Sequence, residues 1–265
     1  MSADLDELKT RPAPSSVEAQ ARKRGYRTQV AIALDGALAN EPCVEARDLG
    51  LAGVNHYNTP FNPPYHQRIP GSISQLFVRR TVADRLLAVN ARLAADGLEV
   101  YLFDAWRPQA VQRYFHDVWF PAWLRCRAPH LDGLELVEEI QKYWAAPSDG
   151  AQSPSPHSTG GAVDLTLRFK ATGQHLFMGG LFDDATEESW TDACERRPVV
   201  SMSDEDARAN RRLLYWVMTE AGFANNPTEW WHYSWGDQMW AKLRNEPAAV
   251  FGACDPVADG ARARA

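Results

Sequence analysis

The chain has no CxxC pair. Its four cysteines, Cys43, Cys126, Cys194 and Cys254, stand far apart, which argues against a thiolate zinc site and a dithiol redox motif. Four scattered cysteines in 265 residues make no disulfide scaffold either, so four free thiols in a reducing compartment are expected. There is no long Lys/Arg block and the formal net charge is −6, a poor match to nucleic acid or to an anionic membrane. No apolar run is long enough to span a bilayer. Met1–Glu7 lacks the basic-then-apolar order of a signal peptide, so a cytoplasmic protein is expected, or a periplasmic one if a signal was removed before the numbering begins. No internal repeat is visible.

What is present suffices for a substantial core. Hydrophobic residues make up 45% of the chain and ten residues are tryptophan, which supports a single large domain. Residues 1–24 are polar and contain Pro12, Pro14, Ser15 and Ser16; they read as a flexible N-terminal arm with one helical turn at Val17–Arg24. The domain proper then covers 25–252, and 253–265 read as a frayed tail. Tyr26–Leu34 alternates weakly and predicts a strand. Asn55–Pro70, rich in Asn, Pro and Tyr, predicts a long ordered loop. Val82, Leu86, Val89, Leu93 and Ala94 recur at helical spacing before Gly97, so Thr81–Asp96 predicts a helix with its C-cap. Leu98–Phe103 predicts a buried strand, and Pro108 opens a helix running to about Arg125. Helices are also predicted over Leu134–Ala145 and Asp206–Ala221, a loop over Ala146–Pro156, and strands over Ala162–Leu167 and Glu229–Trp235. Helices and strands mix without regular βαβ alternation, which predicts an α+β domain.

Two stretches carry chemistry. Ser155-Pro156-His157-Ser158-Thr159-Gly160-Gly161-Ala162-Val163-Asp164 offers a His and an Asp seven positions apart, and Glu229-Trp230-Trp231-His232-Tyr233 adds a Glu and a second His. A catalytic zinc takes three protein ligands and keeps a fourth position for water; His157, Asp164 and His232 would supply that set. Glu229, three residues before His232, is placed to move a proton from that water to a leaving amine. A plain structural reading stands beside each. Asp164 could cap a turn, although a carboxylate inside an apolar strand is costly without a partner. Glu229 could be a solvated strand residue, and Trp230 and Trp231 could be core. His56, His66, His116, His130 and His175 have no partner motif and read as structural.

The combination resembles the zinc D-alanyl-D-alanine dipeptidases, within the larger group of zinc D,D-peptidases with a hedgehog-like α+β fold, a central antiparallel or mixed sheet flanked by helices. The resemblance extends to Asp104-Ala-Trp-Arg107-Pro108 and to Phe177-Met178-Gly179-Gly180-Leu181-Phe182-Asp183, and spans roughly Asp48 to Ser234. It implies one Zn2+ on His157, Asp164 and His232, with Glu229 as general base. Cobalt or manganese could occupy the same ligands. It further implies that Arg107 stabilises the oxyanion, with a structural ion pair to Asp104 as its alternative, that Asp183 meets the free amine of a dipeptide, with a turn cap as its alternative, and that Ser155 or Ser158 helps bind substrate.

The chain departs from the family at Pro156, where the dipeptidases usually carry a polar residue, and at Gly53–Asn62, only loosely like the family's pocket-walling segment. These departures leave the hydrolytic set intact and open the question of substrate. A zinc D,D-dipeptidase acting on a small dipeptide is the leading expectation. A D,D-carboxypeptidase or endopeptidase on peptidoglycan stem peptides, and a non-catalytic binding domain of the same fold, are the alternatives.

Overall fold

The computed structural model describes residues 3–144, 146–147 and 152–258. The chain begins with α1 (Ala3–Thr10), α2 (Ser16–Lys23) and the short α3 (Tyr26–Gln29), then runs through β1 (Cys43–Glu45), β2 (Ala52–Gly53) and β3 (Phe77–Arg79). There follow α4 (Arg80–Leu93), β4 (Leu98–Asp104), α5 (Gln109–Tyr114), α6 (Phe120–Arg127), α7 (Gly133–Tyr143) and β5 (Ala162–Phe169). The remainder is α8 (Ala193–Arg196), α9 (Met202–Glu220), β6 (Ala224–Asn225), β7 (His232–Ser234) and α10 (Gln238–Arg244). Five strands form one mixed sheet in the order β2-β4-β5-β7-β6, with β2 and β4 parallel and the other neighbours antiparallel; β1 and β3 form a separate pair. This is the expected α+β architecture. Among the described residues no helix is long and apolar enough to cross a membrane.

The core lies between the sheet and its helices. Val82, Ala83, Leu86, Val89 and Leu93 make the apolar stripe of α4, which packs on β4, and Gly97 closes the segment at φ 69° as its position predicts. Val163, Leu165 and Leu167 on one face of β5, and Ala162, Asp164 and Thr166 on the other, are all buried, so β5 is covered on both sides. Leu213, Leu214, Val217 and Met218 line the inner face of α9.

Four expectations need correction. The N-terminal arm is folded: Leu5 and Leu8 of α1 are buried and pack on α9, and Arg92 pairs with both Asp4 and Glu220. The arm also docks through Ser16, whose N–H donates to Asp192 Oδ2 while its hydroxyl accepts from Asp192 N. Two leucines one turn apart are enough when a neighbouring helix offers an apolar face, whatever the average polarity of the segment. Tyr26–Leu34 is not a strand: Gly25 turns at φ 72° into α3, and only Ile32 makes a single bridge, to Ala249. The helix after Pro108 is interrupted by a π turn at Phe115–Trp119, where Pro121 has no N–H for the carbonyl one turn back. The start of the tail is held at Cys254, since Trp106 Nε1 donates to Cys254 O and Cys254 N to Ser158 O; residues 259–265 lie outside the described residues, as does part of the Ala146–Pro156 loop.

Leu5→Ala tests the arm. Emptying a fully buried leucine site should cost about 2–4 kcal/mol in urea denaturation; an unchanged midpoint would mean that α1 contributes nothing to the fold.

Candidate active site

β4, β5 and β7 assemble the site by register. Asp104 at the end of β4 pairs with Asp164 of β5, across a register shift after Leu102, and Asp164 pairs with His232 of β7. Residues far apart in the chain thus become cross-strand neighbours on one face. His157 comes from the 3-10 turn Pro156–Thr159 just before β5. The two glycines between the His and the Asp have separate tasks. Gly160 turns the chain at φ 71°, and at Gly161 a Cβ would stand 2.5 Å from Trp235 O, so only glycine lets the strand dock there. Glu229 is not on a strand, as had been expected. It sits in a tight turn, its N–H donating to Asn226 O and its carbonyl accepting from His232 N.

His157, Asp164 and His232 are buried, and one ligand atom from each lies within 4.8 Å of the others. His157 Nδ1 is 2.7 Å from Ala105 O, which can only accept, so Nδ1 donates and Nε2 presents a lone pair. His232 Nε2 is 3.2 Å from Ser234 Oγ, and with Nε2 donating there, Nδ1 is left as a lone pair. Those two nitrogens face each other at 3.1 Å. Asp164 adds Oδ2 at 3.3 Å from His157 Nε2 and Oδ1 at 3.1 Å from His232 Nδ1, and Oδ1 is buried without a hydrogen bond among the described residues. Two imidazole nitrogens and a carboxylate converging in a buried place call for a proton or a metal cation among them, and two imidazoles with one carboxylate suit zinc. In the absence of a metal ion, a proton competes for the same place. Burial and Arg107 disfavour the imidazolium at His157, yet Asp164 and Asp104 outweigh them and raise its pKa. Burial works against the Asp164 carboxylate, but the two histidines hold its pKa far below the usual range.

Arg107 braces this cluster from one side. Its Nε donates to Asp104 Oδ2 (2.7 Å), Nη1 to Gln112 Oε1 (3.0 Å), and Nη2 to Asp164 Oδ2 (3.0 Å) and to the Tyr57 hydroxyl (3.2 Å). The ion pair with Asp104, the alternative role for Arg107, is therefore real, and it coexists with a position at the ligand Asp164. Tyr57 and Tyr65 each donate to Asp183 Oδ2 at 2.8 Å. Asp183 has φ 59°, a left-handed conformation that Asp tolerates better than most residues. On the opposite flank Glu229 Oε2 lies 3.5 Å from His232 Nδ1.

Seven of the residues singled out from the sequence line one cavity of ≈ 440 Å³: His157, Asp164, His232, Glu229, Arg107, Asp183 and Ser155; Ser158 does not. Ser155 takes part through its carbonyl, which accepts from the N–H and hydroxyl of Ser158 and closes the His157 turn. None of the other five histidines joins the cluster among the described residues. The sequence reading did not assign Tyr57, Tyr65 and Gln112, or the N-terminal residues Gln20, Lys23 and Tyr26 on the cavity wall. Tyr57 lay in the Gly53–Asn62 segment, where a long ordered loop and a loose likeness to the family's pocket wall were the signals; nothing local marked Lys23.

A model of the D-ala-D-ala dipeptidase family matches residues 67–249. A D-alanyl-D-alanine dipeptidase of Synechocystis is 36% identical over 192 residues, 65% of this chain and 74% of that protein. The D-alanyl-D-alanine dipeptidase of Enterococcus faecium is 31% identical over 167 residues, 63% of this chain and 72% of that one. Among solved structures, a vancomycin-resistance D,D-pentapeptidase in complex with Zn(II) aligns over 66% of this chain and 81% of its own at 14% identity, with a TM-score of 0.33.

Asp183 makes a pH-dependent prediction. Burial, then the charge of Asp164, push its pKa up to about 8 against the opposing pull of Arg107 and the two tyrosine hydroxyls. The folded-state value lies above the unfolded one, so the stability it contributes is complete below about pH 4 and is lost as pH rises through about 8. Asp183→Asn keeps the neutral form and tolerates the backbone. In metal-free protein its melting temperature should match wild type near pH 4 and exceed it by a margin that grows up to about pH 8. A margin independent of pH would contradict this assignment.

Proposed function

The chain belongs to the D-Ala-D-Ala dipeptidase family of zinc metallopeptidases, and from that membership we propose that it hydrolyses free D-Ala-D-Ala or a near analogue. The observation that carries the choice of a free dipeptide is Asp183, a buried carboxyl held by two tyrosine hydroxyls at one end of the cavity. Zinc held by His157, Asp164 and His232 would supply an activated water and polarise the scissile carbonyl. Glu229, beside His232, takes the proton from the attacking water and returns it to the leaving nitrogen. Arg107 has five N–H groups, and its four hydrogen bonds to Asp104, Gln112, Tyr57 and Asp164 leave one for the developing oxyanion. The guanidinium is pre-positioned by those same bonds, so it needs no reorganisation during the reaction.

Asp183 sets the length of the substrate. An ammonium arriving beside it favours the ionised carboxylate that burial otherwise resists, which couples binding to the presence of a free amine. An acyl group in the same place would clash and leave the carboxyl without its partner, a loss of several kcal/mol in a buried site.

Two measurements test this reading. Zinc-loaded protein should cleave D-Ala-D-Ala and leave its N-acetyl derivative essentially uncut, a discrimination of at least about 100-fold in kcat/KM. Preference for the blocked peptide would instead indicate a carboxypeptidase or endopeptidase, and cleavage of neither would end the proposal. Glu229→Ala should lower kcat by about 10²- to 10⁴-fold with the zinc content unchanged; a fully active variant would remove Glu229 from its role.

A further inference from the structure

A free dipeptide carries a carboxylate as well as an ammonium, and Asp183 answers only the second. The two flanks of the cation site differ in kind. Arg107 meets the cluster at Asp164 Oδ2 and leads through Tyr57 to Asp183. Glu229 meets it at His232 Nδ1. With the ammonium at Asp183 and the leaving nitrogen at Glu229, the carboxylate of the leaving residue must lie beyond Glu229. There the wall is built by α2, from the N-terminal segment. Lys23, in the last turn of α2, donates from Nζ to Asn226 Oδ1 at 2.7 Å, and Asn226 is the residue whose carbonyl holds Glu229 N in its turn.

Lys23 has the properties of an anion receptor. Its ammonium carries three donors, of which Asn226 takes one. Arg27, the other cation on this wall, is engaged by the carbonyls of Ala146 and Ser153 and the Ser153 hydroxyl, and so belongs to the scaffold. We propose that Lys23 binds the C-terminal carboxylate of the substrate and sets the position of the leaving residue over Glu229. This rests on the dipeptidase reading for the identity of the substrate. Burial draws the Lys23 pKa down to about 8 against the charge of Glu229, so the ammonium is incompletely solvated and still mainly charged at neutral pH. Lys23 lies outside residues 67–249, the part that matches the family model. The folded arm is thus more than a stabilising clasp: it delivers the cationic end of the pocket.

The test compares D-Ala-D-Ala with its C-terminal amide in zinc-loaded full-length protein. Wild type should prefer the acid. Lys23→Met should lower kcat/KM for the acid about 10- to 100-fold, chiefly through KM, and leave the amide within about twofold. Lys23→Arg should recover part of the loss. Equal losses on acid and amide would mean that Lys23 only props the Asn226–Glu229 turn, and no loss on either would remove it altogether; both outcomes overturn the proposal. Equilibrium binding of the same two compounds to Glu229→Ala protein, with and without Lys23→Met, separates this inference from the dipeptidase reading. Binding that favours the acid through Lys23 in a protein whose wild type cleaves neither compound would sink the reading and keep the receptor. Turnover of acid and amide at equal rates would do the reverse.

Discussion

Three potential ligand atoms, His157 Nε2, His232 Nδ1 and an Asp164 oxygen, are forced together in a buried place where only a proton or a metal cation can hold them. Alone, this arrangement is unfavourable, because buried acceptors without donors lose their hydration and repel one another. It persists because each residue is fixed by something else. Asp164 and His232 are held by strand register, and His157 by a turn that the Ala105 carbonyl and two glycines lock in place. The hydrophobic packing of α4 and α9 keeps that framework rigid. A divalent cation turns the same cluster from a liability into a source of stability, so metal binding and folding are linked.

Around the cluster the charges alternate in sign. Asp104 faces Arg107, Arg107 faces Asp164, and Asp164 faces the cation site. The Tyr57 hydroxyl, accepting from Arg107 and donating to Asp183, joins the cluster to the far carboxyl through one phenol. Burial keeps this phenol neutral, pushing its pKa well above the ordinary value, so it remains a donor at any physiological pH. The result is a polarised cavity: a carboxyl at Asp183 that ionises against an incoming ammonium, the cation site, and then Glu229 and Lys23. That order matches the order of charges in a zwitterionic dipeptide stretched across the site.

Much of this was legible in the sequence, and the reasons for the misses are specific. The helical stripe of α4 and the alternation of β5 could be read because local periodicity and burial agree there. The ligands could be read because a His and an Asp around a glycine turn form a compact motif. The arm could not, because its polarity is real and, among its described apolar residues, only Leu5 and Leu8 are buried; their partner, α9, is about two hundred residues away. Tyr26–Leu34 was misread because a weak alternation cannot tell a strand from a helical turn followed by one isolated bridge. Glu229 was read onto a strand, since nothing local marks where the Asn226–Glu229 turn gives way to β7. Tyr65 and Lys23 escaped because their long-range hydrogen bonds with Asp183 and Asn226 leave no local pattern.

The most direct test of the cation site is X-ray absorption at the zinc edge, on protein loaded with one equivalent of metal, for wild type and for His157→Ala and His232→Ala. The converging lone pairs predict one tightly bound zinc per chain in a shell of two imidazole nitrogens and oxygen, with no sulfur, and loss of that shell in both variants. Sulfur in the shell, or unchanged binding in either variant, would contradict the account.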